Sequence, residues 1–190
     1  ILSCNYENRV HQNKENAQNL KPKQLVDDKT IYEFLNYNFI HKDSAFLNCD
    51  YIIDHEWLPY FFTHEDSLAL IKMDTIFTKG DIGFIFKQAN YVRYFKLKQS
   101  KLPSKNVIKI DTIKFFNNNN EIRSAYFDEL HKKYGALCTI KMPLFSIDRK
   151  TVYISTGLTC GTLCGAGGTY IYRKVNGKWI LIKTLNEWVS

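Results

Sequence analysis

The sequence lacks any hydrophobic run that is long enough to cross a membrane. A membrane-spanning helix needs about 20 consecutive apolar residues, and the longest apolar stretches here have the length of a strand. The chain of 190 residues also contains no internal repeat. We therefore expect no transmembrane span, and a single domain of ordinary size rather than a repeat array.

The motifs that identify many enzymes are also absent. There is no His-Glu-x-x-His pair, no nucleophile elbow, no protein-kinase motif and no dinucleotide-binding glycine pattern. The sequence therefore favours a non-enzymatic protein, and it predicts no cofactor.

The chain is basic, with a net charge of +7 and an isoelectric point near 9.1. The densest basic segment covers residues 93–105, and it begins among the aromatic residues Tyr91, Tyr94 and Phe95. Single-stranded nucleic acid could stack on such a segment. Because no nucleic-acid-binding motif accompanies it, we favour a solvated strand and loop and expect no nucleic-acid partner.

The first residues, Ile1-Leu-Ser-Cys4, resemble the end of a bacterial lipoprotein signal, in which aliphatic and small residues precede the lipidated cysteine. The residues that follow are polar and rich in Asn, Gln and Lys, so they are predicted to form a flexible tether. We expect residues 1–29 to be a signal remnant and tether, residues 30–190 to be one globular domain, and Cys4 to anchor the protein to a membrane surface. The alternative is an incidental cysteine.

Four further cysteines accompany Cys4, an even number that permits two disulfides in an oxidising compartment. Cys160 and Cys164 are the predicted pair, because a glycine-rich turn can bring their Cα atoms within bridging distance. Cys49 and Cys138 could be a second pair or two buried thiols. The cysteines therefore predict an extracytoplasmic, membrane-anchored protein of a bacterial cell envelope.

The first two-thirds of the chain is predicted to contain about three helices. Capping patterns begin two of them, at Thr30 with Glu33 and at Thr78 with Asp81. The predicted helices cover residues 30–41, 82–89 and 121–134, with Gly135 as a helix stop, and strands are predicted at 67–76 and 107–116, with an extended stretch over 91–98.

From residue 136 onward the apolar pattern changes to a period of two, which indicates antiparallel strands. The predicted strands cover residues 138–146, 151–157, 169–175 and 178–185. Asn176-Gly177 is a strong hairpin signal, because both central positions of a type I′ turn need positive φ. That turn places Val175 opposite Lys178, Lys174 opposite Trp179, Arg173 opposite Ile180, Tyr172 opposite Leu181 and Ile171 opposite Ile182.

Between the two predicted hairpins lies a glycine–cysteine knuckle, Cys160-Gly-Thr-Leu-Cys-Gly165. A zinc site needs a second Cys/His pair at the right spacing, which is absent. A redox motif is normally Cys-x-x-Cys at a helix start, and a phosphate loop needs Gly-Lys-Ser/Thr before a helix. We therefore interpret the knuckle as a tight loop closed by a disulfide, with no metal.

The strongest indication of an enzyme is the cluster Asp54-His55-Glu56 together with His64-Glu65-Asp66. Such residues could bind a divalent metal or act in acid–base chemistry. Pro59 interrupts the segment, so one helix is not expected to present both histidines. A polar loop and a helix cap explain the same residues.

Aromatic residues make up 15% of the chain. Trp179, Trp188 and the tyrosines could stack on sugars or peptides, but packing in the core is the simpler explanation. We therefore expect both tryptophans to be part of the core.

Four motifs occur together between Phe127 and Ser190, namely Pro143-Leu-Phe-Ser146, the knuckle Cys160–Gly165, Asn176-Gly-Lys-Trp179 and Trp188-Val-Ser190. In this combination the chain resembles a group of bacterial envelope proteins that share a serine-bearing strand, the same knuckle, an Asn-Gly-Lys-Trp hairpin and a terminal Trp-Val/Ile-Ser. The group has no activity to transfer. The resemblance implies an envelope location and nothing catalytic.

Together these features predict a single α+β domain, in which a C-terminal antiparallel sheet packs with about three helices. A nuclear-transport-factor-like cone would provide such an arrangement. Our main functional hypothesis is a non-enzymatic envelope lipoprotein that binds another macromolecule, of the toxin-neutralising or scaffold type, with an unidentified protein partner. The alternative is a metal-assisted hydrolase-like enzyme that uses residues 54–66.

Overall fold

The structure, a computed structural model, describes residues 22–41, 49–54, 64–115, 117–161 and 164–190, except for the side chains of His64 and Glu65. In this part of the chain five helices accompany seven strands. The helices are α1 (Asp28–Ile40), α2 (His64–Ile71), α3 (Lys79–Ala89), α4 (Thr112–Phe115) and α5 (Asn120–Tyr134). The strands are β1 (Tyr51–Ile53), β2 (Asn106–Ile108), β3 (Leu137–Ile140), β4 (Leu144–Phe145), β5 (Thr151–Gly161), β6 (Cys164–Val175) and β7 (Lys178–Val189).

All seven strands join one mixed sheet in the order β2-β1-β3-β5-β6-β7, and β4 also pairs with β5. β1 runs parallel to both of its neighbours, and the remaining pairs are antiparallel. The predicted α+β class and its antiparallel C-terminal unit are therefore confirmed. The parallel part formed by β1 and β2 was not predicted.

Helices cover the two faces of the sheet differently. On one face, here called the α1 face, Phe34 and Leu35 of α1 share a core with Val152, Ile154 and Tyr172. The opposite face is here called the groove face. At one end of it α2 and α3 cover Tyr153 and Ile171, and at the other end α4 and α5 cover Ile53 and Leu137.

Side-chain caps begin the long helices. The N-cap of α1 is Asp27, which accepts from the Thr30 backbone N–H at 2.9 Å. The predicted cap at Thr30 with Glu33 was therefore wrong by one turn, and Glu33 instead binds Lys174 at 2.7 Å. The predicted capping box of Thr78 with Asp81 is confirmed at the start of α3. α5 ends at Gly135, whose φ of 70° disfavours any residue with a Cβ.

Helix replaces part of two predicted strands. Residues 67–76 form the end of α2 and a following turn, in which Leu70 is fully buried while Leu68 and Ile71 are exposed. A short apolar run fits a strand and a helix equally well, and here packing against α3 decides for the helix. In 107–116 the strand ends at Ile108, and α4 begins after Asp111, which caps Ile113 at 3.0 Å.

The segment 91–98 is also not extended throughout. Residues Val92–Tyr94 form a 3₁₀ turn, and Tyr91 and Phe95 on either side of it are buried. The predicted strand 138–146 is divided as well, because β3 and β4 pair with separate parts of β5. The sequence pattern did not show this break.

The Asn176-Gly177 turn forms with φ values of 50° and 79°. Four of its five predicted partners are confirmed, but Ile171 lies opposite Lys183 because a bulge shifts the register after Tyr172. Strands β5 and β6 also extend beyond their predicted ends as far as the cysteines. The knuckle is therefore the tip of the β5–β6 hairpin and not a loop between two hairpins.

Two disulfides are present. Cys160–Cys164 closes the hairpin tip, with Cα atoms 5.1 Å apart. Cys49–Cys138, which the sequence left open, joins a residue two positions before β1 to β3, and both cysteines are buried. No helix in the described ranges is long and apolar enough to cross a membrane.

Candidate functional site

A strip of small and hydroxyl-bearing residues crosses the groove face between the two pairs of helices. Successive residues of a strand point to opposite faces, so every second residue of β3, β5 and β6 belongs to this strip. The backbone pairing arranges them in three rows. The first row is Lys141, Ser155 and Thr169; the second is Thr139, Gly157, Gly167 and Trp188; the third is Leu137, Thr159, Gly165 and Ser190. We call this strip the groove.

The indole ring of Trp188 lies on the backbone of three glycines in the groove. A Cβ atom added to Gly167 would lie 2.9 Å from the ring, and one added to Gly165 would lie 3.1 Å from it. A Cβ on Gly157 would be 3.9 Å away. These distances show that the ring occupies space that side chains at Gly165 and Gly167 would otherwise fill.

The same ring is half exposed, with 50% of the residue accessible to solvent. The β7 backbone holds it in place, because Trp188 pairs with Gly167 and the next pair, Ser190 with Gly165, exchanges hydrogen bonds of 2.9 and 3.3 Å. Trp179, in contrast, is buried against Phe34 on the α1 face. The expectation of core packing is correct for Trp179 and wrong for Trp188.

Hydroxyl groups surround the glycine floor. Ser155 Oγ and Thr169 Oγ1 are 2.8 Å apart, and Thr139 Oγ1 donates to the Gly157 carbonyl at 3.3 Å. Every serine or threonine hydroxyl offers one donor and two acceptor positions. These hydroxyls therefore retain hydrogen-bonding capacity beyond the contacts among themselves.

His131 of α5 meets the groove at its third row. Its Nδ1 lies 2.9 Å from the Gly135 carbonyl, and its Nε2 lies 3.3 Å from Thr159 Oγ1. A carbonyl can only accept, so Nδ1 carries the proton, and in the neutral ring Nε2 accepts from the threonine. The histidine thus links α5 to β5 at this end of the groove.

At the first row, beside α2, the groove opens into a pocket of about 290 Å³ that includes its open mouth. Its lining includes Asp66, Val92, Lys141, Leu144, Tyr153 and Ser155. Tyr153 Oη donates to Asp66 Oδ1 at 2.5 Å. Burial first, and then the bond to Asp66, raises the pKa of Tyr153 far above its usual value, so this hydroxyl remains a hydrogen-bond donor.

Lys141 faces the same pocket. Burial lowers the pKa of its ammonium group, and the negative charge of Asp66 opposes part of that shift. The pocket thus combines a carboxylate, a phenol and a partly desolvated amine, all of which can hold a polar ligand group.

The acidic cluster predicted at 54–66 is only partly described. Asp54 accepts from the Leu97 backbone N–H at 3.2 Å, whereas Asp66 binds Tyr153. His55 and Glu56 lie outside the described residues, as do the side chains of His64 and Glu65. Among the side chains that are described, no group of three His, Cys, Asp or Glu residues could hold a metal ion.

The remaining predicted sites lie away from the groove or outside the described ranges. Cys4 and the tether belong to the undescribed first 21 residues. In the basic segment, Tyr91 and Phe95 are buried in the core, and Lys98 forms an ion pair with Asp28. Those two aromatic rings are therefore not available as a stacking surface.

Sequence reasoning did not identify the groove, although it contained a signal. Gly157 and Gly167 pair directly, and Gly165 follows on the same face. Three glycines on one face of two adjacent strands leave a flat area that a neighbouring side chain can cover.

The chain matches no family model, no curated protein and no solved structure. The resemblance to bacterial envelope proteins and the nuclear-transport-factor-like cone therefore stay predictions.

Proposed function

We propose that this protein is an envelope lipoprotein, anchored through Cys4, that binds a macromolecule in its groove without catalysing a reaction. The observation that carries the proposal is Trp188, whose ring is supported by glycine backbone and is half exposed. A scaffold or toxin-neutralising role would require such a binding surface. The two disulfides support an oxidising compartment.

An exposed tryptophan on a rigid support is well suited to binding. Its large apolar ring gains free energy when a partner removes it from water, and tryptophan is enriched among the residues that dominate interface energetics. The β7 backbone pairs with β6 at Gly167 and at Gly165, so the ring does not have to be ordered at the moment of binding. The neighbouring hydroxyls can supply orientation.

Sedimentation with washed envelopes of the producing bacterium tests the groove. The full 190-residue protein with both disulfides formed should pellet with the envelopes, and Trp188→Ala should reduce its affinity at least tenfold, which corresponds to about 1.4 kcal/mol. Val189→Ala is the matched control, because Val189 is adjacent, 85% exposed and on the opposite side of β7.

Circular dichroism and thermal unfolding should show that both variants are folded. Equal binding by Trp188→Ala and the unchanged protein would reject the groove as the binding surface. Absence of envelope binding by the unchanged protein would reject the proposed function.

A separate experiment tests the anchor. The full-length protein, expressed in its host with radiolabelled palmitate, should become labelled, and Cys4→Ala should abolish the label. Labelling that persists in the variant would show that Cys4 is not the site of lipidation.

A further inference from the structure

We infer that the ligand of the groove is a neutral, extended, β-linked polysaccharide, which stacks a sugar ring on Trp188 and places its hydroxyls against the Ser/Thr rows. This inference rests on the proposed function and names the chemical class of its ligand.

The Trp188 platform matches a sugar ring in shape and electronic character. Three glycines support one side of the indole ring, and half of the residue remains open to solvent. The face of an aromatic ring is electron-rich. A pyranose presents a flat side of weakly positive C–H groups, which matches that face in size and polarity.

Hydrogen-bonding groups lie beside the platform in a regular pattern. The partly exposed Ser155, Thr139 and Thr159 occur in three consecutive rows, and each hydroxyl can donate and accept. Sugar hydroxyls have the same dual character, so they can bond whichever group remains available. The backbone groups of β5 are used in pairing with β3 and β6, so a ligand in the groove is held by side chains and not by the main chain of β5.

The three rows of the groove carry little charge. Among the described residues of the three rows, Lys141 is the only one with a formally charged side chain, and its pKa is lowered by burial. A nucleic acid would need several cationic contacts to its phosphates. The rows therefore fit an uncharged ligand better than a polyanion.

The floor of the groove follows β5 in a straight line. From Ser155 to Thr159 this strand pairs with β6 without a bulge, over about 13 Å at the usual rise of a strand, and the register shift between Gly167 and Thr169 affects only the pairing of β6 with β7. Equatorial β-linkages produce a ribbon-like glycan with flat faces. Such a chain can lie along the strip without bending.

The test uses two defined neutral ligands, the β-1,4-linked hexasaccharides of glucose and of N-acetylglucosamine. Isothermal titration should show binding of at least one of them to the full, oxidised protein. Trp188→Ala should weaken it tenfold or more, Trp188→Phe should retain part of the affinity, and Val189→Ala should leave it unchanged. Raising the salt concentration should have little effect, because the ligand carries no charge.

The fluorescence of Trp188 and competition provide two further readouts. Stacking should shift the emission of the unchanged protein to shorter wavelength, and this shift should be missing in Trp188→Phe. The hexasaccharide that binds should also release the protein from envelopes.

The possible outcomes separate the two proposals. If envelope binding depends on Trp188 but neither hexasaccharide binds or competes at millimolar concentration, the polysaccharide inference is wrong and the groove binds a protein. If a hexasaccharide binds Trp188→Ala as tightly as the unchanged protein, the inference is also wrong. If Trp188-dependent binding is found to neither envelopes nor hexasaccharides, both proposals fail.

Discussion

Gln88 of α3 pairs with the backbone of Phe145 in β4 as a residue of a neighbouring strand would. Its Nε2 donates to the Phe145 carbonyl at 2.7 Å, and the Phe145 N–H donates to its Oε1 at 3.0 Å. Gln88 and Phe145 are both fully buried. Because β4 contains only two residues, this side chain completes its hydrogen bonding and fixes α3 against the sheet.

Replacing Gln88 should therefore strongly destabilise the fold. Gln88→Leu retains an apolar side chain of similar size but leaves the N–H and C=O of Phe145 buried without partners. At about 1–3 kcal/mol for each of the two groups, the loss in free energy of unfolding should be about 2–6 kcal/mol. Urea denaturation measures it, with Lys87→Ala on the exposed side of α3 as the control. A loss below about 0.5 kcal/mol, the range of ordinary surface changes, would contradict this role.

Two glycines should respond in opposite directions to substitution by alanine. Gly83 lies inside α3 with nothing within 4 Å of its added Cβ, so Gly83→Ala should stabilise the protein by about 0.5–1 kcal/mol. Gly135, at φ 70°, has equally open space but an unfavourable backbone, so Gly135→Ala should cost about 1–3 kcal/mol. Thermal unfolding of the two variants tests this prediction. Changes in melting temperature of the same sign would contradict it.

The two disulfides should contribute unequally to stability. Cys49 and Cys138 are 89 residues apart, whereas Cys160 and Cys164 are separated by 4. A longer closed loop restricts the unfolded chain more, so the double variant Cys49→Ala/Cys138→Ala should lose about 2–5 kcal/mol. Cys160→Ala/Cys164→Ala should lose less. Urea denaturation midpoints under non-reducing conditions test this ranking of the two double variants. A larger loss of stability for Cys160→Ala/Cys164→Ala would contradict the prediction.

Stability should fall at alkaline pH because of buried tyrosines. Burial raises the pKa of Tyr32 to about 12, and the pKa of Tyr153 rises as well. The unfolded chain loses these protons near pH 10, so their contribution is present below that pH and is lost as pH rises towards 12. Lys141 acts in the opposite direction, because its lowered pKa makes the folded state more stable as pH rises towards 10.5.

Tyr32→Phe separates these effects. Between pH 9 and 11.5 the free energy of unfolding should decrease less steeply in the variant than in the unchanged protein. The variant also loses the bond from the Lys98 N–H to Tyr32 Oη, so its stability at neutral pH is expected to be lower. The slope with pH, and not the absolute value, is the test, and parallel slopes would show that Tyr32 does not titrate in this range.

Local signals predicted much of the fold correctly. The capping box at Thr78, the helix stop at Gly135 and the Asn176-Gly177 turn each depend on neighbouring residues alone, and all three are present. The prediction of a strand at 67–76 was wrong because the apolar residues there fit both the period of a strand and that of a helix. Contacts with α3 stabilise the helix. The bulge after Tyr172 involves the pairing of two strands, which the pattern within one strand does not reveal.

The candidate site was less predictable than the fold. The candidate site combines Trp188 of β7 in the groove with Asp66 of α2 and Tyr153 of β5 in the adjoining pocket, and these residues are far apart in the chain. Composition cannot distinguish the buried Trp179 from the half-exposed Trp188, because both precede a β-branched residue in an alternating segment. The difference follows from the register of β7 against β6, which places the Trp188 ring over three glycines on the groove face.

The disulfide between Cys49 and Cys138 also links the two ends of the long chain segment between these residues. If a protease cuts one peptide bond anywhere between these residues, the fragments remain a single molecule until the disulfide is reduced. The N-terminal fragment would retain Cys4, so a lipid attached there would keep the C-terminal, groove-bearing fragment at the membrane. Nicked protein would then be released from the cell surface only after reduction.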